Sequence, residues 1–493
     1  MARVPRRLAF GIGGAEIGAS LAFVAVNTWL LYYLINVARV PPLLAGTVFV
    51  AGRVVDAFTD PLMGTLVDRT RQRVPRLRWV RWGALPLGAA FALLWWAPAA
   101  AGDAATWVAL AALLATSVLY TVVQVPVLSL TPDLVPDYDD RTTLTAVRTA
   151  FAVVASMLAV ALPPLIVSAA SGGGDLAASA PAGWAWMGVA FGLIVTAGYL
   201  TLPRLVPEPR ASVEARGGGD AAWWTVLRAP GFASVLVTFL VVTIGIMLVN
   251  SLLPFALESV LLVPAAQQTP LLALLFGTAV LTFPAWSWLT GRIGKRGALT
   301  LGALILAGAL LGLMQSGVGA GMTASTLAWT ALAGVGLAAV MALPWAMLPD
   351  VVEFDALRCG EHREGLLYAL FTFGQKLAGS IGVFANALAT SLLGYQAGSA
   401  VQAESTVRGL QFVLGPIAAA VFVVAAIVVW TSPITRASHA RARAALDARE
   451  GAAAAVGAAP GAPVAGAGTV AAPRSARSAP RSAPRSASRS PPR

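Results

Sequence analysis

Of the 493 residues, 58% are apolar and only 11% charged, and the mean hydropathy of +0.76 excludes an ordinary soluble protein. The formal net charge of +12 does not signal nucleic acid, because the arginines fall in short loops and in the tail, where they act as orientation signals. A single cysteine, Cys359, excludes an internal disulfide, and together with two histidines it supplies no metal cluster.

In chain order, apolar runs of about 20 residues or more predict spans over 8–37, 43–68, 80–101, 105–135, 142–170 and 183–205. The first run is too long for a signal-peptide core and lacks a cleavage site, so the first helix is expected to stay attached. Pro207-Glu-Pro-Arg and Ala215-Arg-Gly-Gly-Gly-Asp mark a turn-rich connection. Six more spans are predicted over 230–260, 268–291, 297–316, 323–349, 364–394 and 408–432. The expected fold class is therefore all-α: a polytopic membrane protein of twelve transmembrane helices in two six-helix halves. The halves cover 1–205 and 230–435, joined by a cytoplasmic linker over 206–229 and followed by an Arg/Ala/Pro/Ser-rich tail over 436–493. The tail has no apolar period and is expected to be disordered.

The arginines set the orientation. Arg3, Arg6 and Arg7, the group from Arg69 to Arg81, and Arg292, Lys295 and Arg296 all fall on one side, while Arg39 and Arg408 stand nearly alone on the other. Both termini are thus expected in the cytoplasm, in the inner or plasma membrane.

Within the second span, Asp56 and Asp60 are four residues apart, so on a helix both carboxylates occupy one face near the middle of the bilayer. A charge at that depth costs about 2.5 to 3.5 kcal/mol on insertion scales. Two on one stripe imply a cation, a proton or basic partners facing them, with Arg53 the nearest candidate. On the eleventh span Lys376, one of two lysines in the chain, forms a polar stripe with Thr372 and Ser380. It is about a dozen residues from either helix end, too far to snorkel to water outside the bundle. At that depth it requires an acidic partner, and Asp56, Asp60 and Glu16 are the candidates.

The halves echo one another. Pro132-Asp133-Leu-Val closes the fourth span and Pro349-Asp350-Val-Val the tenth, at corresponding positions. Parallel six-helix halves with a substrate path between them describe the major facilitator architecture. Gly64-Thr-Leu-Val-Asp68-Arg69 resembles the loop between helices two and three of that superfamily. Arg53-Val-Val-Asp56-Ala-Phe-Thr59-Asp60-Pro61, Tyr120-Thr121-Val-Val-Gln124-Val-Pro126 and Gln375-Lys376 resemble the glycoside, pentoside and hexuronide cation symporter family, of which melibiose permease is the type.

That resemblance implies a sodium- or proton-coupled symporter working by alternating access, with no cofactor beyond the coupling cation and no enzymatic activity. It implies a cation site at Asp56, Thr59, Asp60 and Thr121, where sodium, if it is the coupling ion, finds oxygen ligands suited to a hard cation. The substrate cavity implied is lined by Glu16, Gln124, Arg148 and Lys376, with Trp345, Tyr368 and Thr372 as further candidates. Gating falls to Arg53, Gly64, Asp68, Arg69, Asp133 and Asp350. In the sugar transporters of the family an aspartate stands at the position of Gln124 and a tryptophan at that of Leu128. Tyr33-Leu-Ile-Asn-Val-Ala-Arg-Val-Pro, Asp56-Ala-Phe-Thr-Asp-Pro-Leu and Leu343-Pro-Trp-Ala-Met-Leu-Pro-Asp350 resemble a second branch, the sodium-dependent lysophosphatidylcholine symporters. The substrate is thus a glycoside or other sugar, or alternatively a lysolipid or other amphipathic molecule. A proton-coupled drug exporter is a lesser alternative. His362 and His439 lack the context of a hydrolase or metalloenzyme. The expected partners are the substrate and the bilayer, with no nucleic acid and the chain a monomer.

Overall fold

A computed structural model describes residues 5–70, 73–134, 138–172, 176, 179–206, 208, 231–316, 319, 321–359, 364–399, 401–433 and 438. The linker over 206–229 falls outside these residues except for 206 and 208, as does the tail over 436–493 except for 438. Among the described residues the regular structure is entirely helical.

The first half contributes α1 (Arg6–Asn36), α2 (Pro42–Thr70), α3 (Arg76–Leu94), α4 (Ala105–Leu134), α5 (Tyr138–Ala170) and α6 (Pro181–Leu205). The second contributes α7 (Phe232–Ser259), then one element, Ala265–Ser316, that breaks at Gly294 into α8 and α9. It continues with α10 (Ala324–Cys359), α11 (Glu364–Leu392) and α12, which runs from Glu404 through a π-helical turn at Val413–Ile417 to Val428.

Three boundaries differ from the sequence reading. The third span, expected to run to 101, ends at Leu94, because the chain turns at Trp95 and Trp96 and re-enters through Pro98 and Gly102, the latter at φ 54°. The loop expected between the eighth and ninth spans is a single residue, since Gly294 adopts φ 79° and ψ 165°, open only to a residue without Cβ. The tenth helix continues ten residues past the expected end at 349, because Asp350, Glu353 and Asp355 interrupt the apolar run without ending the helix.

A second internal repeat is visible once the turns are compared. Asn27-Thr through Val40-Pro41 matches Asn250-Ser through Val263-Pro264, and the two segments end α1 and α7 in the same way. Arg39 and Leu262 both take the left-handed conformation, at φ 58° and 54°. In both, the following valine N–H closes the helix, Val40 to the Leu34 carbonyl and Val263 to that of Leu257, each at 2.8 Å. This six-residue closure is the usual role of a glycine, and a side chain there costs about 1–2 kcal/mol. Continued along α2 and α8, the register pairs Thr59 with Thr282 and Pro61 with Pro284, but Asp56 with Ala279 and Asp60 with Phe283. The acidic pair belongs to one half alone.

Close helix approach positions these elements. A Cβ at Gly88 of α3 or at Gly192 of α6 would lie 2.5 Å from the other's carbonyl oxygen, so the two backbones touch only because both are glycine. Trp29, Tyr33, Trp95 and Trp184 pack beside this contact and are all buried. On α2 the exposed Val54, Phe58, Leu62 and Leu66 share one stripe, and Asp56 and Asp60 take the opposite one. The apolar stripe meets lipid and the acids turn inward.

Candidate functional site

Asp56 stands at the middle of α2 and is 4% exposed. Arg53, one turn earlier, donates from Nη1 to Asp56 Oδ2 at 3.1 Å and from Nη2 to Asn27 Oδ1 on α1 at 3.3 Å. The guanidinium also lies over the Phe23 ring, 5.6 Å from its centroid. Asn27 donates its own amide to the Phe23 carbonyl, 2.7 Å away, which fixes which edge it offers Arg53.

Asp60 is reached from two other helices. Thr121 on α4 donates to Asp60 Oδ1 at 2.7 Å. From α11, in the other half, Lys376 donates to Asp60 Oδ2, and its Nζ lies 3.8 Å from Asp56 Oδ2. Two carboxylates, one guanidinium and one ammonium sum to zero charge, which makes the cluster tolerable at this depth. Two oxygens are nevertheless left over: Asp56 Oδ1 and Thr59 Oγ1 are buried and take no hydrogen bond. All four residues proposed from sequence as cation ligands thus fall on facing parts of α2 and α4. Lys376 ties them across the interface between halves.

A second polar group lies beside them. Arg148 of α5 pairs with Glu16 of α1, which also accepts a hydrogen bond from Ser20 at 3.0 Å. Tyr120 of α4 is within electrostatic reach of Glu16, Arg148, Arg53 and Asp60, and so links the two groups. Gln124 is buried, and its side-chain carbonyl accepts the Tyr199 hydroxyl of α6 at 2.8 Å. Four residues further along α4, Leu128 is 45% exposed.

The remaining candidates are more dispersed. Trp345 packs edge-on against the stacked rings of Phe239 and Phe371, at centroid distances of 5.1 and 5.3 Å. Tyr368 and Thr372 are exposed on α11, two turns and one turn before Lys376 respectively, and the Thr372 hydroxyl donates to the Tyr368 carbonyl at 3.0 Å. Asp350 is buried and receives Lys295 Nζ at 2.6 and 2.8 Å, while the same ammonium donates to the Ala346 carbonyl at 2.7 Å. In the first half Arg76 makes the matching contact, to the Ser129 carbonyl at 2.8 Å. Arg69 is exposed, and around Gly64 a Cβ would meet open space. The side chains of Asp68 and Asp133 lie outside the described residues.

Sequence reasoning missed Asn27, Tyr199 and the Arg53 stack on Phe23. An asparagine in an apolar helix is a readable signal, whereas the Tyr199 contact joins residues 75 apart and leaves no local pattern.

Among the described residues, twelve long helices in two repeated halves around a charged, buried centre define a membrane transporter of the major facilitator fold. The chain belongs to the MFS/sugar transport protein family, whose model matches residues 10–436. It is 27% identical to an uncharacterized symporter of Synechocystis sp., over 90% of this chain and 96% of that one. It is 28% identical to a mouse sphingosine-1-phosphate transporter, over 83% and 85% of the two chains. The sodium-dependent lysophosphatidylcholine symporter 1 of Xenopus tropicalis is 26% identical, over 81% of each chain. Among solved structures, an inward-facing bacterial homologue of the lysosomal transporter Spinster superposes with a TM-score of 0.64 at 12% identity, covering 88% of this chain and all of that one.

Proposed function

We propose that this chain is a cation-coupled symporter working by alternating access, with sodium or a proton as the coupling ion. One observation carries the reading: Lys376 of the second half is shared between Asp56 and Asp60 of the first, beside two buried oxygens with no partner. A cation entering among Asp56, Thr59, Asp60 and Thr121 would find oxygen donors and would compete with the ammonium for the carboxylates. Releasing Lys376 removes a contact between the halves, so ion binding changes the relative stability of the states that the halves adopt. Arg53, anchored to Asn27, keeps Asp56 in place while this happens. Arginines clustered where α2 meets α3 and where α8 meets α9 support a multi-pass orientation in the cell membrane with both termini cytoplasmic.

For the substrate we favour an amphipathic molecule with an anionic headgroup, of the lysolipid kind. Gln124 is occupied by Tyr199 and neighbours an exposed leucine, an arrangement poor in free polar groups for a sugar ring. A freed Lys376 would meet a phosphate or carboxylate as a compact positive charge. The second reading, a glycoside, draws on the family's sugar-transport description and on the Glu16–Arg148 pair, which offers both donors and acceptors. Uptake of radiolabelled lysophosphatidylcholine and of a radiolabelled disaccharide into proteoliposomes, each under an inward sodium or proton gradient, tests the proposal. Accumulation of the lipid alone supports the first reading, of the sugar alone the second. Gradient-independent equilibration of whichever is carried would refute coupling.

A further inference from the structure

Away from the charged centre, at the end of the bundle where α1 begins, two outward-facing tryptophans each carry an arginine over the ring. On α3 the exposed Trp82, Leu85 and Leu93 share one stripe, and Arg78, one turn nearer the helix start, lies 5.7 Å from the Trp82 centroid. On α8 the exposed Leu281 and Trp288 share a stripe, and Arg292, one turn nearer the break at Gly294, lies 4.0 Å from the Trp288 centroid. Trp82 is 57% exposed and Trp288 59%, so each ring keeps its outer side open. In both places the order along the helix toward its end is apolar stripe, ring, guanidinium.

The edges of these two guanidinium groups are free. Among the described residues neither Arg78 nor Arg292 has a side-chain hydrogen bond or an ion pair. Arg53, Arg148 and Lys295, by contrast, are each paired with an acid. Glu208, the acid that reaches the start of α3, has its two oxygens taken by the N–H groups of Arg76 and Leu77, at 2.7 and 2.9 Å. Further positive charge stands beside Arg78: Arg81 donates to the Pro203 carbonyl at 3.5 Å, which sets the α3 arginines next to the exposed Arg204 of α6. The two pairs are not copies made by the repeat. In the register that sets Pro61 against Pro284, Trp288 and Arg292 match Thr65 and Arg69 of α2, whereas Arg78 and Trp82 stand on α3.

We propose that Arg78 with Trp82, and Arg292 with Trp288, are headgroup sites for an anionic phospholipid, one in each half, in the leaflet at this end of the bundle. The ring shields one face of the guanidinium from water and leaves its N–H edges, whose planar fork fits two oxygens of a phosphodiester. Tryptophan is at home at the depth where acyl chains give way to headgroups, and the apolar stripe beyond it lies against the chains. A headgroup of net negative charge is favoured over a zwitterionic one, because the surrounding groups with free charge are cations and offer no acid to an ammonium or choline. The far end of the chain does not supply the anion: from 451 to 493 it holds six arginines and no acid.

The test titrates the full chain in detergent micelles with phosphatidylglycerol or with phosphatidylcholine of identical acyl chains, and counts bound lipids by native mass spectrometry. Phosphatidylglycerol should bind at least about tenfold more tightly. Arg78→Gln and Arg292→Gln should each remove one tightly bound phosphatidylglycerol, with a loss of roughly fivefold or more in affinity at that site. Lysine at either position should keep a weaker preference, because a point charge replaces the fork. Trp82→Leu and Trp288→Leu should weaken the same sites by about twofold to fivefold. Arg408→Gln, at the opposite end and paired with Glu404, should leave both sites unchanged. Inorganic phosphate at millimolar concentration should not displace the lipid, since it lacks the chains that meet the stripe. Equal affinity for the two lipids, displacement by phosphate, or an Arg78→Gln, Arg292→Gln double variant that keeps the native preference overturns the proposal. If that double variant does not fold, unaltered phosphatidylglycerol binding in a Trp82→Leu, Trp288→Leu chain does the same.

Discussion

Replacing Lys376 with alanine leaves Asp56 and Asp60 facing Arg53 alone, so the cluster changes from neutral to a net charge of −1. The ammonium lies 3.8 Å from Asp56 and in contact with Asp60. Two unit charges about 4 Å apart interact by about 4 kcal/mol at an effective dielectric of about 20. The lysine side chain is 25% exposed and that of Asp60 33%, so solvent screening reduces the usable part. About 1.4 to 2.8 kcal/mol remains as the cost a cation must overcome to displace the lysine, or roughly tenfold to a hundredfold in affinity. Isothermal titration of sodium and lithium into the purified full chain should show Lys376→Ala binding tighter by that factor, while driven transport falls. Lys376→Arg should restore transport only in part, because a planar fork replaces a compact ammonium. Unchanged or weaker cation binding in Lys376→Ala would refute the competition.

Other outcomes follow from the same contacts. Thr121→Val removes the 2.7 Å hydrogen bond to Asp60 and should weaken cation binding by about fivefold to tenfold, consistent with about 1 kcal/mol for such a bond, as read in the same titration. Asn27→Ala frees the Arg53 guanidinium on one side and should lower the rate of driven uptake more than the affinity for the cation, a split visible in initial-rate kinetics. Asp68→Ala should slow cycling with no change in equilibrium cation affinity, since the acid stands in the last turn of α2, two turns past Asp60. Burial, with the Glu258 charge adding to it, pushes the Tyr395 hydroxyl from 10.0 up to about 12. The proton is held more tightly in the folded protein, so this contribution to stability is intact below pH 10 and is lost as pH rises from 10 to about 12; thermal unfolding of Tyr395→Phe should lack that alkaline loss.

Much of the architecture was legible because bilayer thickness fixes how long an apolar run must be, and the chain obeys that rule along nearly its whole helical length. The acidic stripe on α2 was legible for the same reason: charge at mid-membrane is costly, and a four-residue spacing puts both acids on one face. The match of Lys376 to that pair followed from charge balance, since few acids stand at its depth. What could not be read were contacts set by tertiary approach. Tyr199 to Gln124 and Tyr32 to Glu258 join residues far apart in sequence, and neither pair has a spacing signature. The loop expected near Gly294 collapsed to one residue because a single glycine φ value reverses the chain, a fact local to the backbone. The matched turns at Arg39 and Leu262 were hidden by the absence of glycine at positions where glycine is usual.

The account is tested most directly by substrate accumulation in proteoliposomes that hold either the native chain or Asp60→Asn, under an imposed inward sodium gradient, an inward proton gradient, or none. The native chain should accumulate its substrate above equilibrium under at least one gradient and only equilibrate it without any, and Asp60→Asn should lose the accumulation while remaining folded and membrane-inserted. Accumulation by Asp60→Asn equal to that of the native chain would contradict it.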